Sequence, residues 1–185
     1  MQVISGQYKG KLIKSPNETA TTHPMGSREK IALFNILNSL ITSGTLKNFS
    51  QMTILDAFAG SGALGIEAIS RGAKSVVFVE KSSKVANTIC DNLKNLHLPA
   101  DIDAKVIIKD LAKINFSTRF DLIFADPPYD NFNLAQIERL THFLRPQGLL
   151  VLSHPNVNFT LDSLEKLTTR SYAKANISIF LQNVQ

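Results

Sequence analysis

Residues 54–68 read ILDAFAGSGALGIEA, and the fold turns on how this stretch is understood. An apolar run, Ile54-Leu55, ends in Asp56 and leads through Ala57-Phe58-Ala59 into Gly60-Ser61-Gly62-Ala63-Leu64-Gly65. Read literally, this is the G-x-G-x-x-G of a dinucleotide turn, and Glu80 supplies the acid that such a fingerprint wants about 20 positions later. A dinucleotide turn, however, places glycine directly at the strand end, so that the helix N-terminus reaches a pyrophosphate. Here three residues intervene and the loop begins with an acid. A carboxylate at that point repels pyrophosphate and favours a ligand carrying an ammonium or sulfonium charge. Gly60 and Gly62 let the backbone approach that ligand without a Cβ in the way.

Outward from the loop, short apolar runs alternate with helical patterns: TILDA, a helix near 63–71, SVVFVE, a helix near 82–96, KVIIKD, DLIFAD, a helix near 133–144, then GLLVLS. Hydrophobic strands separated by helices imply right-handed crossovers and a parallel sheet covered on both faces. The segment EKLTTRSYAKANISIFLQ alternates twice without a helix between, which predicts an antiparallel hairpin at one edge. The expected class is therefore α/β and Rossmann-like, with a mostly parallel seven-stranded sheet. Upstream, MQVISGQYKGKLIK alternates around Gly6 and Gly10 and predicts a short hairpin with a basic tip. Ser27 is the expected N-cap of a helix with Glu29 in its first turn and Leu33, Phe34, Leu37, Leu40 and Ile41 on one face. Residues 1–185 read as one domain, with the hairpin and helix in 1–45 and the ligand-binding core in 50–185.

A chain of 185 residues with 44% hydrophobic content buries a substantial core unaided. The formal net charge of +5 suits an anionic partner, and the excess is concentrated early. Residues 1–50 carry Lys9, Lys11, Lys14, Arg28, Lys30 and Lys47 against Glu18 and Glu29, which points to this segment as the docking place of an anionic polymer. The single cysteine, Cys90, excludes an intrachain disulfide and a Cys-rich metal site, and its place beside Val85, Ile89, Leu93 and Leu96 predicts a helix-core or boundary position. His23, His97 and His142 share no ligand spacing, so no metal is expected. Neither a signal peptide nor a bilayer-spanning run is apparent, so the expectation is a soluble cytoplasmic monomer.

In a doubly wound sheet, ligands bind beyond the carboxyl ends of the strands where strand order reverses. Asp56, Glu80 and Asp110 end successive strands there: the first suits a cationic group, the second the hydroxyls of a ribose, the third an adenine amino group. Each alone suits a capping role equally well. Together they fit S-adenosylmethionine better than NAD. After the fourth strand comes Asp126-Pro127-Pro128-Tyr129. Consecutive prolines fix φ and remove two backbone donors, leaving a rigid display of carbonyl acceptors. Asp126 and the Pro127 carbonyl are placed to accept both protons of an exocyclic amino group. Acceptors out of the ring plane favour a more tetrahedral nitrogen and aim its lone pair at a methyl sulfonium. Tyr129 offers a face on which an unstacked base rests.

The segments DAFAGSGALG, FVEKSSK and FADPPYD resemble class I S-adenosylmethionine-dependent methyltransferases of the amino-methylating type. The order of the whole chain, from ISGQYKGKLIK and HPMGSREKIALFNIL to LRPQGLLVLSH, is similar to one family among them, the bacterial small-subunit (16S) ribosomal RNA guanine-N2 methyltransferases (RsmD). The resemblance implies a cofactor site of Asp56, Phe58, Gly60, Gly62, Glu80, Lys81, Asp110 and Leu111, and a target site of Asp126, Pro127, Pro128 and Tyr129. It implies RNA contact by Lys9, Lys11, Lys14, Arg28 and Lys30, with 16S ribosomal RNA or the assembling small subunit as partner. His154 is a candidate for the base pocket, although a lone histidine at a strand end is more often structural. The chain departs from the family pattern at His23-Pro24-Met25-Gly26, where an Arg-Pro-Thr-Thr-like lead is usual, and at Ser153-His154, where Glu-His is usual. The alternatives are a DNA adenine-N6 methyltransferase using the same Asp-Pro-Pro-Tyr, an NAD-dependent oxidoreductase, and a non-catalytic RNA-binding module.

Overall fold

A computed structural model describes residues 1–16, 25–172 and 175–183, so His23-Pro24 and Ala173-Lys174 lie outside the described residues. In chain order the elements are α1 (Ser27–Thr42), β1 (Thr53–Asp56), α2 (Ala63–Ser70), β2 (Ser75–Glu80), α3 (Ser83–Leu96), β3 (Asp103–Ile108), β4 (Phe120–Ala125), α4 (Leu134–Thr141), β5 (Leu144–His154), β6 (Leu164–Ser171) and β7 (Asn176–Gln182). The strands form one seven-stranded sheet in the order β3-β2-β1-β4-β5-β7-β6. The first five are parallel, and β7 runs antiparallel between β5 and β6, as the pattern predicted. Strand order reverses between β1 and β4, which opens the crevice at their carboxyl ends.

Burial explains why these runs are strands. All six residues of β4 are buried, so a continuous apolar run, not an alternating one, satisfies both faces. Ile54, Leu122, Phe124, Leu149 and Val151 point to the face covered by α1, α2 and α3, where Phe34, Ile66 and Ile89 meet them. Leu55, Ile123, Leu150 and Leu152 point the other way, under Ile137 and Leu140 of α4. The Phe34 ring lies 5.8 Å from that of Phe124 and 6.0 Å from that of Phe49, so α1 is riveted to the strand that leads into Asp126.

Four local expectations are corrected. Residues 1–14 form no ladder: a single antiparallel bridge, Gln2↔Leu12, closes a looped segment, and its shape is set by α2. Ile4 and Ser5 donate their amides to the Glu67 carboxylate at 2.8 and 3.1 Å, and Gln7 and Tyr8 donate to Ser70. Gly6, at φ +83°, passes so close that a Cβ would lie 1.8 Å from the Ser70 carbonyl oxygen. The N-cap of α1 is Gly26, with Ser27 the first helical residue and no side-chain cap bond.

Lys30, expected on the RNA-facing surface, is 2% exposed. Its ammonium donates to the Gln2 carbonyl at 3.2 Å and lies 3.8 Å from Glu67, whose other oxygen holds Arg71 at 2.9 Å. A charge this deep is tolerated because it is paired, and burial still pushes the Lys30 pKa down against the pull of Glu67. Finally, β5 starts at Leu144, well before GLLVLS, and α4 stops at Thr141. Arg145-Pro146-Gln147-Gly148 reads as a turn, yet Leu144 already pairs with Phe120, and a register shift with Gln147 at φ +61° absorbs the irregularity.

Candidate active site

Asp56 pairs in register with Phe78 of β2 and Phe124 of β4, so Glu80 and Asp126 each stand two residues beyond it, one on either side. Asp56 is 2% exposed, and its Oδ2 accepts the Gly65 amide at 2.9 Å, fixing the start of α2. Burial is the main cause that pushes its carboxyl up to about 7; the Gly65 amide opposes this, and the charges of Asp126 and Glu80 add to it. Glu80 uses both oxygens on backbone: Oε2 accepts the Gly60 amide at 3.1 Å and Oε1 the Ser82 amide at 2.9 Å. The glycine loop is thus held against β2 by the side chain that was expected at the ribose.

The three glycines have different reasons. Gly60, at φ +53°, faces open space, the nearest atom to an added Cβ being the Phe58 carbonyl oxygen at 4.0 Å. Gly62, at φ +79°, would bring a Cβ to 3.1 Å from Ile89, and at Gly65 a Cβ would lie 2.3 Å from the Phe78 ring. Gly60 therefore leaves open space beside the loop, whereas Gly65 lets α2 pack on β2. Further along the edge, exposed Asp110 caps a 3-10 turn, Leu111–Lys113, by accepting the Ala112 amide at 3.0 Å. Leu111 is buried, and Arg139 of α4 donates to its carbonyl at 2.8 Å. Phe58 is half-buried and Lys81 exposed.

On the other side of β1, Asp126 is half-buried, Pro127 buried, and Pro128 and Tyr129 half-buried. The Tyr129 hydroxyl lies 2.5 Å from the Ser153 hydroxyl of β5. Burial pushes the Asp126 carboxyl up to about 6, opposed by hydrogen bonds from Ser153 and from the Met25 amide, the latter at 3.4 Å. Burial likewise raises the Tyr129 phenol, with Ser153 opposing and the charges of Asp126 and Glu29 adding, so it stays protonated at neutral pH. The Pro128 carbonyl is taken by the Asn131 amide as the loop turns into a 3-10 segment, Tyr129–Asn131.

His154 does not open onto this site as a base-pocket residue would. It is 4% exposed, with Nδ1 against the Pro155 carbonyl at 2.8 Å and Nε2 against the Ser178 hydroxyl at 2.9 Å. Burial lowers its pKa, so the neutral ring donates through Nδ1 and accepts through Nε2. Its ring packs edge-on to Phe159 at 4.8 Å, and with Phe132 it props the loop after β4. Its role is to tie β5 to β7.

Of the basic residues, Lys9, Lys11, Lys14 and Arg28 are exposed. Lys14 is anchored through its backbone, donating its amide to Asn92 Oδ1 at 2.9 Å, while Asn92 Nδ2 donates to the Lys14 and Ser61 carbonyls. Asn92 thereby joins the basic segment to the glycine loop. Lys14 and Ser15 also line a cleft of about 550 Å³ with Lys84 and Thr88 of α3. Asn92 and Glu67 escaped the sequence reading, though each left a signal: a polar residue inside an otherwise buried helical stripe. Among the described residues no group of three or more His, Cys, Asp or Glu could hold a metal ion, and no helix is long and apolar enough to cross a membrane.

The comparisons with known proteins bear on the family and the fold. A model of the family described as Conserved hypothetical protein 95 matches residues 1–181. The Haemophilus influenzae protein named Ribosomal RNA small subunit methyltransferase D is 36% identical over 158 residues, covering 81% of this chain and 76% of its own. The solved Escherichia coli protein yhhF superposes with a TM-score of 0.81 at 22% identity, covering 100% of this chain and 99% of that one. A Synechocystis magnesium protoporphyrin IX methyltransferase, solved with bound SAM, shares the fold at a TM-score of 0.65 and 16% identity, covering 83% of this chain and 79% of that one. With a family model over nearly its whole length and a relative well above 30% identity, the chain belongs to the RsmD family, within the class I methyltransferase fold.

Proposed function

We propose that this chain transfers the methyl group of S-adenosylmethionine to the N2 amino group of a guanine in small-subunit ribosomal RNA. The observation that carries the reading is the position of Asp126-Pro127-Pro128-Tyr129 at the end of β4, one strand from the glycine loop that follows β1. The open side of Gly60 and the carboxylates of Asp56 and Glu80 suit a ribose-bearing ligand with positive charge. When bound, S-adenosylmethionine supplies a methyl group on a cationic sulfur. Asp126 and the Pro127 carbonyl accept the amino protons and draw the nitrogen out of conjugation with its ring, while Tyr129 supports the base. The proton lost after transfer goes to Asp126 or to water. Only the ionised Asp126 accepts both ways, so activity rises with pH through about 6. Lys9, Lys11, Lys14 and Arg28, with the cleft beside Lys14, form the RNA-facing part of a single domain whose residues 50–185 carry the chemistry.

The test is incubation with methyl-labelled S-adenosylmethionine and, in parallel, unmodified small ribosomal subunits, their deproteinised RNA and duplex DNA, followed by digestion and identification of the labelled nucleoside. N2-methylguanosine from the ribosomal samples is the expected product, and the ratio of particle to naked RNA gives the assembly stage. Label in N6-methyladenine would overturn the substrate while keeping the Asp126 chemistry.

A further inference from the structure

Ser153 belongs to neither the glycine loop nor the Asp-Pro-Pro-Tyr segment, yet its hydroxyl sits where the side chains of the latter meet. It is the penultimate residue of β5, 2% exposed, next to Leu152, which pairs with Ala125, and opposite Ile177 of β7. Its Oγ is 2.5 Å from Tyr129 Oη; the pairing of Leu152 with Ala125 sets Ser153 beside Asp126, whose carboxyl it draws down against the effect of burial. Either hydroxyl of the Tyr129–Ser153 pair can donate, and a carboxylate only accepts, so Ser153 can give its proton to Asp126 while Tyr129 donates to Ser153.

We propose that Ser153 is a positioning residue for methyl transfer, aiming the Asp126 carboxylate and the Tyr129 ring together at the target amino group. The inference rests on the function proposed above. Ser153 acts from a strand buried between β4 and β7, so its hydroxyl is a rigid reference for a loop that projects beyond the sheet. It holds the Tyr129 ring by its far end, beside the Asp126 carboxyl. The other groups facing Asp126 do not duplicate this. Asp56 of β1 brings only negative charge, Glu29 of α1 acts on Tyr129 and likewise brings only negative charge, and both ring nitrogens of His154 are engaged elsewhere. The Met25 amide, at 3.4 Å, is a long contact.

The experiment uses the full chain with Ser153→Ala and Ser153→Thr, the second keeping the hydroxyl. Carboxyl-labelled aspartate, with the Asp126 resonance assigned through Asp126→Asn, is titrated by carbon NMR, and kcat/KM for methyl transfer is followed against pH. Ser153→Ala is expected to raise the Asp126 midpoint, to move the acid limb of the rate profile upward with it, and, for a displacement of about one unit, to lower kcat about threefold near pH 6.5 and about tenfold near pH 5. KM for S-adenosylmethionine stays within about twofold, and Ser153→Thr restores the wild-type values. An active wild type whose Asp126 midpoint and acid limb are the same in Ser153→Ala overturns the assignment, as does a Thr variant that behaves like Ala. Failure of the underlying functional reading looks different: the wild-type chain itself transfers no methyl group to any nucleic acid.

Discussion

On one side of β1, Glu80 closes both carboxylate oxygens on backbone amides of nearby loops, Gly60 and Ser82; on the other, Asp126 is steadied by Ser153 of β5 and by Met25, a residue 101 positions away in sequence. The side we propose for the cofactor is therefore held by contacts written into its own motif. The side proposed for the target amino group is held by residues that only the sheet order brings near. A change at Glu80 must disturb loop shape and ligand binding together, whereas a change at Asp126 separates chemistry from folding.

Four measurements break or sharpen that contrast. The largest effect is expected for Asp126→Asn, which should lower kcat about a hundred- to a thousandfold while the dissociation constant of S-adenosylmethionine, followed by calorimetry, stays within about twofold. Cofactor affinity falling in step with kcat would erase the distinction between the two sides. Glu80→Ala should weaken cofactor binding about thirtyfold to a hundredfold, since hydrogen bonds to a charged group are each worth roughly 1.5–3 kcal/mol, and should lower Tm because two amides lose their acceptor. An unchanged Tm would mean that the loop keeps its shape without Glu80.

The third measurement is a pH series. The carboxyls of Asp56 and Asp126, at about 7 and about 6, both lie above their ordinary value near 4. Between those limits the folded chain holds more protons than the unfolded one, so the stability of the ligand-free protein falls as pH rises through the window. A cationic ligand prefers the ionised acids, so cofactor affinity should rise roughly tenfold from pH 5.5 to 8, with proton release on binding. A flat affinity profile would remove Asp56 from the cationic end of the ligand. The smallest effect belongs to Lys9, Lys11 and Lys14 changed together to Gln. The slope of log affinity for RNA against log salt should flatten by about two to three, with cofactor affinity untouched.

Where local pattern and tertiary demand agree, as in TILD, SVVFVE and FDLIFA, strands were legible because buried parallel strands need only a continuous apolar run. The start of β5 was not, because Arg145-Pro146-Gln147-Gly148 carries turn chemistry and only pairing of Leu144 with Phe120 makes it strand. Lys30 was misread, and His154 was left open between a pocket and a structural role, for a related reason. Lysine and histidine are ordinarily exposed or reactive, and what removes them from the surface is a partner elsewhere in the chain, Glu67 for one and Ser178 for the other.

The sequence alone determined the parts whose chemistry is local: the glycine loop opening with Asp56, the acids at the strand ends, and the Asp-Pro-Pro-Tyr segment, since spacing along one strand and its loop is spacing in space. The tertiary structure alone decided which buried polar groups meet: Lys30 with Glu67, Asn92 with Ser61, and Tyr129 with Ser153. A buried polar group must find its partner among whatever the sheet order and helix packing bring within about 3 Å, and no interval in the chain encodes that meeting.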